Sequence, residues 1–307
     1  MSPLRRHAED YLALRRSLGF KLAKEGRLLP GFAAFAETRG TGTVTVDLAL
    51  GWALLPAGVS PVWAAQRLSM VRGFARYLQT VDPSAQLPPA DLLPGRIRRV
   101  SPYIYSDADI GALMTAARTL RNPLKAATLE TLIGLLAVSG LRGSEAMRLG
   151  RGDIDPAGML TVRATKFRKS RRLPLHETTL RALAGYQALR GQLCPAPATA
   201  SILVSTTGAR LCHQTVQPAF RGLLRLAGVA QDTPRPRPTI HGLRHSFAVK
   251  TLTGWYRDGQ DVQARMPALS TYLGHASPAA TYWYLSATPE LLALAAGRLE
   301  STPGGAR

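Results

Sequence analysis

Between Thr239 and Leu285 the sequence gathers side chains suited to handling a phosphate: His241, Arg244, His275 and a tyrosine, Tyr282 or Tyr284. On a helix, His241 and Arg244 stand three residues apart and share a face. Both donate hydrogen bonds to phosphate oxygens. Ser277-Pro278 is an N-cap and first-turn pair, so a helix is predicted to open there with Tyr284 about two turns inside. A tyrosine beside phosphate-binding donors could attack a phosphodiester and hold the phosphate covalently.

That reaction needs charge neutralisation at the nonbridging oxygens, a nucleophile, and a proton donor for the leaving oxygen. Arg142 and Arg244 can serve as guanidinium clamps, with His241 and His275 as further donors. Lys166 could protonate a leaving 5′ oxygen. The metal-dependent route requires clustered carboxylates. Asp and Glu total only 19 and form no cluster, so no metal or other cofactor is expected. A phenol ionises near pH ~10, and neighbouring cations favour its ionised form. Covalent storage of the phosphate keeps the bond energy for a second strand, which implies rejoining as well as cutting. Spacing and composition leave Tyr282 and Tyr284 equally open as nucleophile, and Trp283 between them reads as packing.

The elements that position these residues fall into two groups. Helical periods run through Leu4, Tyr11, Leu14 and Leu18, and through Leu28, Phe32, Phe35 and Ala36. A short helix capped by Thr45 and a long one opened by Ser60-Pro61 complete a four-helix bundle. Its polar faces carry Arg5, Arg6, Arg15, Arg16, Lys21, Lys24, Arg67, Arg72 and Arg76, read one by one as solvated surface. Prolines at 83, 88, 89, 94 and 102 mark a linker, and Arg96, Arg98 and Arg99 make it a basic strap that could lie on a phosphate backbone. The expected organisation is a DNA-binding helical domain at 1–82, a Pro-rich basic linker at 83–102, a second domain at 103–300 and a disordered tail at 301–307.

The second domain opens with a capping-box start at Ser106-Asp-Ala-Asp109. Ala126 to Ser139 predicts its most buried helix, ended by Gly140, with Arg142 and Glu145 paired just beyond. A β-hairpin is predicted over 159–175. Six of the ten residues from 163 to 172 are basic: Arg163, Lys166, Arg168, Lys169, Arg171 and Arg172. Such a hairpin repels itself unless something anionic lies on it, so these side chains are expected to bind nucleic acid. Helices then resume to the end, and the fold class is mainly α with a small β-hairpin.

Bulk properties agree. The 307 residues carry a formal net charge of +20, which predicts a polyanionic partner, and 46% are hydrophobic, as in a globular protein. The longest apolar run, from Leu132 to Leu141, is too short to span a bilayer, and Met1 to Arg16 lacks a signal core. No membrane association is expected, and a cytoplasmic, nucleoid-associated location is. Cys194 and Cys212 have neither CxxC nor zinc-ligand spacing, so both are expected to be reduced.

The chain resembles the tyrosine recombinase, or phage integrase, family. The resemblance is carried by Ser139-Gly-Leu-Arg142-Gly-Ser-Glu145, by Thr165-Lys166 leading to Leu173-Pro174-Leu175, by His241-Gly-Leu-Arg244-His245, and by Leu273-Gly-His275 followed by Thr281 and Tyr284. It covers roughly 101–299, and the N-terminal bundle looks like the family's core-binding domain, with the second domain as its α+β catalytic domain. It implies Arg142 and Arg244 as the catalytic arginines, Lys166 as the hairpin lysine, His241 and His275 as the histidine positions, and Glu145 as the supporting acid. The family's tyrosine lies nine residues past the His of Leu-Gly-His, which selects Tyr284.

The implied activity is DNA integration and site-specific recombination through a 3′-phosphotyrosyl intermediate, without metal. A homo-oligomer, a tetramer on two double-stranded DNA sites, would perform it, with or without partner recombinases. Tyr272-Leu-Gly-His275 and Thr281-Tyr-Trp-Tyr-Leu285 look like a branch carried on transposons and other mobile elements. Thr253 to Pro267 departs from the pattern, being longer than expected between the second arginine and the second histidine. A type IB-like topoisomerase shares the chemistry, and a DNA-binding regulator that has lost catalysis is the reading from another class. The complete set Arg142, Lys166, His241, Arg244, His275 and Tyr284 argues against the regulator, which has no use for a nucleophile.

Overall fold

Ser2 begins the first helix by accepting a hydrogen bond from the Arg5 amide, with proline at the position where a missing N–H costs nothing. A computed structural model describes residues 2–55, 57–94, 101–163, 170–229, 236–275, 277–286 and 288–301. The chain divides into two compact units, Met1–Arg99 and Val100–Arg307.

The first unit holds α1 (Pro3–Ser17), α2 (Glu25–Thr38), α3 (Val46–Leu54) and α4 (Pro61–Leu78). Thr45 and Ser60 cap α3 and α4 as their positions predict. The buried stripe of α1 is Leu4, Ala8, Tyr11 and Leu12, whereas Leu14 and Leu18 are exposed. Leu18 lies past the helix end, and the small Ala8 completes the buried face. Arg67 also differs from its expected place on a polar face. It is buried, with its guanidinium 3.7 Å over the Trp52 ring and Nη2 donating to the Trp52 carbonyl at 2.6 Å.

Residues 83–94, expected to be linker, pack on this unit. Ala85 is buried in its core, the Gln86 amide donates to the Val44 carbonyl at 2.7 Å, and Arg72 Nε donates to the Pro88 carbonyl at 2.8 Å. Prolines stop a helix but do not prevent a segment from packing. Arg96, Arg98 and Arg99 lie outside the described residues.

The second unit begins with α5 (Asp107–Arg118), started by the capping box of Ser106 and Asp109. Helix α6 (Pro123–Ser139) is apolar nearly all round and central to the core. Gly140 ends it at φ 59°, where a Cβ would stand 2.4 Å from Phe247, so both the backbone and the packing require glycine. The one-turn α7 (Gly143–Ala146) and a 3-10 turn at Arg151–Asp153 lead into the hairpin.

Strands β1 (Met159–Val162) and β2 (Arg171–Pro174) pair antiparallel, Met159 with Pro174 and Val162 with Arg171. The hairpin tip, with Lys166, Arg168 and Lys169, lies outside the described residues. Helices α8 (Glu177–Leu193), α9 (His213–Leu226), α10 (Ile240–Arg257), α11 (Val262–Leu273), α12 (Ala279–Tyr282) and α13 (Pro289–Ser301) follow.

The long 253–267 segment is largely helix. Trp255, Tyr256 and Arg257 extend α10, and Pro267 lies within α11, so only 258–261 connect the two. Helices α10, α11 and α13 share a core that includes Leu252, Leu269, Leu273, Leu291 and Tyr284.

Candidate active site

Three arginines converge on the end of one helix. At the C-terminus of α11 the last carbonyls have no partner within the helix, and its dipole makes them a negative pole. Arg171 Nε donates to the Tyr272 carbonyl at 2.7 Å, Arg244 Nη2 to that of Leu273 at 2.6 Å, and Arg142 Nη2 to that of Gly274 at 2.8 Å. Each guanidinium comes from a different element: β2, α10 and the turn before α7. Arg244 Nη1 also donates to the Gly140 carbonyl at 2.7 Å, where α6 ends. Two helix C-termini therefore hold Arg244.

Glu145 completes the group. It accepts from Arg142 Nη1 at 2.7 Å and from the Arg142 amide at 2.9 Å. Arg171 reaches both its oxygens, Nη2 at 2.8 Å and Nη1 at 3.2 Å. Burial pushes the Glu145 carboxyl up, but the hydrogen bonds and charges of Arg171 and Arg142 outweigh it and hold the group down at about 2. Arg244 goes the other way, lowered to about 10 by burial and by Arg142 nearby. Arg142 is the more open of this pair, with 26% of its side chain exposed, while Arg244 is buried.

Two histidines flank the tyrosine, and a third packs on one of them. His275 Nδ1 lies 2.7 Å from Thr281 Oγ1, and its ring stacks on that of Tyr284 at 6.1 Å. His241 meets His245 edge-on at 4.6 Å, one turn apart on α10. His245 Nδ1 lies 2.9 Å from the Tyr284 hydroxyl. Burial, reinforced by neighbouring positive charge, lowers all three: His245 and His275 to about 4, His241 in the same direction. All three imidazoles are therefore neutral near pH 7.

Tyr284 is 2% exposed and Tyr282 is 40% exposed. Tyr284 does not sit two turns inside a helix: α12 is one turn long, and Tyr284 follows it in a 3-10 turn, Trp283–Ser286. Pro278, not Ser277, occupies the cap of α12, with no side-chain hydrogen bond. From this turn Tyr284 faces inward while Tyr282, two residues before it and so on the opposite side of the winding, faces out.

Arg142, Glu145, His241, Arg244, His275 and Tyr284 are thus brought together, whereas Lys166, Arg168 and Lys169 lie outside the described residues. Arg171 corrects its sequence-based assignment. It was expected on the DNA-binding face of the hairpin, but its side chain is 8% exposed and paired to Glu145. Alternation along β2 explains this, because Arg171 shares the inward face with the buried Leu173 while Arg172 points out. Arg163 and Arg172 are on the surface, paired to Asp153 and Asp155 at 2.8 and 2.7 Å. His245 belongs to the His241-Gly-Leu-Arg244-His245 motif, and its role emerges from the structure. The signal was available, since it sits one helical turn beyond His241.

A helical bundle followed by a mostly helical unit that gathers three arginines, histidines and a buried tyrosine is the arrangement of a tyrosine recombinase. The phage integrase family model matches residues 105–290, and the chain belongs to that family. It is 44% identical to y4rB of Sinorhizobium fredii, an integrase/recombinase by name, over 98% of both chains. It is 32% identical to the tyrosine recombinase XerC of Azotobacter vinelandii over 72% of this chain and 68% of that one. The fold matches the Tn1549 transposon integrase in complex with transposon right end DNA, with TM-score 0.67 and 16% identity over 98% of this chain and 99% of the other. The chain is a site-specific tyrosine recombinase, and these relatives favour strand exchange over the topoisomerase and the regulator. Among the described residues, no helix is long and apolar enough to cross a membrane.

Proposed function

We propose that this recombinase cleaves and rejoins double-stranded DNA through a 3′-phosphotyrosyl bond to Tyr284. Arg142 and Arg244 hold the nonbridging oxygens of the scissile phosphate, and neutral His241 and His275 donate further hydrogen bonds. With Nδ1 of His275 turned to Thr281, its Nε2 is the nitrogen that meets the phosphate. Lys166 protonates the leaving 5′ oxygen. Glu145 orients Arg142, and Arg171 orients Glu145. The observation that carries the reading is the burial of Tyr284 among these groups, against the exposure of Tyr282.

The charge of +20 suits a DNA partner. The N-terminal unit, the strap of Arg96, Arg98 and Arg99, and hairpin residues Arg163, Arg168, Lys169 and Arg172 grip the backbone. A tetramer of the chain on two DNA sites performs the exchange, inside the cell at the nucleoid, on DNA of a mobile element.

The test is covalent capture. Nicked duplexes with a randomised core, from which the cleaved end diffuses away, are incubated with the protein in EDTA and denatured in SDS. A protein–DNA adduct lost in Tyr284→Phe and kept in Tyr282→Phe is expected. Cleavage that leaves no adduct, or an adduct kept in Tyr284→Phe, would refute the assignment.

A further inference from the structure

Arg244 and His245 are adjacent on α10, and successive helical residues point about 100° apart. Arg244 turns to the carbonyls of Gly140 and Leu273, and His245 turns to the Tyr284 hydroxyl, 2.9 Å from Nδ1. Among the described residues, the arginines and His275 near Tyr284 are poor acceptors for its proton. Guanidinium ions have no lone pair to offer. His275 lies face to face with the phenol ring and turns Nδ1 to Thr281. Of these neighbours, His245 presents a ring nitrogen to the oxygen that must attack.

We infer that His245 is a catalytic residue: its Nδ1 takes the phenolic proton of Tyr284 as that oxygen attacks phosphorus, and returns it when the strand is resealed. The inference rests on the reading of Tyr284 as nucleophile. In the forward step the O–H bond of Tyr284 breaks and an N–H bond forms on His245. The Tyr284 oxygen bonds to phosphorus, the bond from phosphorus to the 5′ oxygen breaks, and that oxygen takes its proton from Lys166. Rejoining reverses each transfer, so protons and electrons balance over the cycle.

The surroundings suit a base that substrate switches on. Burial, then the positive charge of Arg244, keep His245 neutral in the free protein, with its lone pair available. A phosphodiester anion arriving between Arg142 and Arg244 opposes that positive field and makes His245 more basic when a proton must be taken. His245 also lines an open hollow of about 480 Å³, beside Tyr103, Arg237 and Thr239. Through it the ring can exchange its proton with solvent.

The test uses the full chain and randomised-core duplexes of two kinds, one with ordinary phosphodiesters and one with 5′-bridging sulfur, a leaving group that needs no proton. Single-turnover formation of SDS-resistant adduct is measured for the parent protein and for His245→Asn, whose amide oxygen keeps the contact but is a far weaker base. Loss of a general base predicts a rate about a hundredfold lower or more, equally on oxygen and sulfur substrates. A fluorinated tyrosine at position 284, with a more acidic phenol, should recover much of that loss.

Parent-like cleavage by His245→Asn would reduce the contact to a structural one and overturn the inference. Full rescue by bridging sulfur would also overturn it, by placing His245 at the leaving group. If His245→Asn melts well below the parent, His245→Gln carries the same comparison. Absence of any Tyr284-dependent adduct with the parent protein would instead overturn the reading of the site, which separates the two failures.

Discussion

Arg171 and Glu145 form a two-pronged ion pair, Nη2 to Oε2 at 2.8 Å and Nη1 to Oε1 at 3.2 Å, with both side chains nearly closed to solvent. The same carboxylate holds Arg142, so one acid fixes two guanidiniums. Removing it strands both positive charges inside the protein. Glu145→Gln should destabilise the catalytic unit by roughly 3 kcal/mol, the scale for breaking a buried pair by deleting one partner. The urea midpoint measures this, and a change below about 1 kcal/mol would show that the ion pair is not structural.

Arg171 and the outward arginines of the same hairpin should separate in kinetics. Arg171→Lys keeps the charge but not the planar fork, so cleavage should slow while DNA affinity and its salt dependence hold. Arg163→Ala and Arg172→Ala should do the reverse, weakening binding and lowering the salt slope by about 1 each. Titrations at several salt concentrations, beside single-turnover cleavage, distinguish the two. A lowered salt slope in Arg171→Lys would place that side chain on DNA after all.

Gly274 combines φ 66° with a Cβ position only 2.7 Å from the Arg171 guanidinium. Gly274→Ala therefore carries the left-handed backbone cost of about 1–2 kcal/mol and also pushes Arg171 off Glu145. Gly259 has φ 71° with open space around it, so Gly259→Ala carries the backbone cost alone. Melting temperatures should fall further for Gly274→Ala, and cleavage should drop only there. Equal effects would mean that Arg171 yields at no cost.

The buried histidines give acid sensitivity with a defined sign. His245 and His275 are held at about 4 in the folded chain, below the ordinary value of 6.5, so the unfolded chain takes up protons first as pH falls. Their stabilising contribution is complete above pH 6.5 and is lost progressively toward about 4. Glu145, held at about 2 against an ordinary 4.5, contributes fully above 4.5 and loses its contribution toward 2. The melting temperature should thus fall in two stages. His275→Asn should shrink the first stage and spare the second, and a melting temperature unchanged between pH 7 and pH 5 would contradict the assignment.

Local rules placed most of the elements. Thr45, Ser60 and Ser106 cap helices where their positions predict, and the apolar run before Gly140 is the central α6. Residues 83–94 and Arg67 were misplaced because prolines and charges report polarity and breakage, not the contacts available in three dimensions. Ala85 fills a space in the bundle, and the Arg67 guanidinium finds the Trp52 ring. Tyr284 was separated from Tyr282 in the sequence by resemblance alone, because two residues of spacing carry no depth. The 3-10 turn after α12 gives a physical difference, one tyrosine inside and the other out.

The sequence by itself determined the chemistry available: basic charge, two helical units, and arginines, histidines and tyrosines in separated motifs. Only the tertiary structure decided how they act on one another. The carbonyls ending α11 collect arginines from three distant elements, Glu145 fixes two of them, and His245 faces the Tyr284 hydroxyl. Spacing along a chain predicts neighbours within one helix or strand. A helix end whose unpaired carbonyls draw cations from elsewhere takes effect only when packing brings those elements to it.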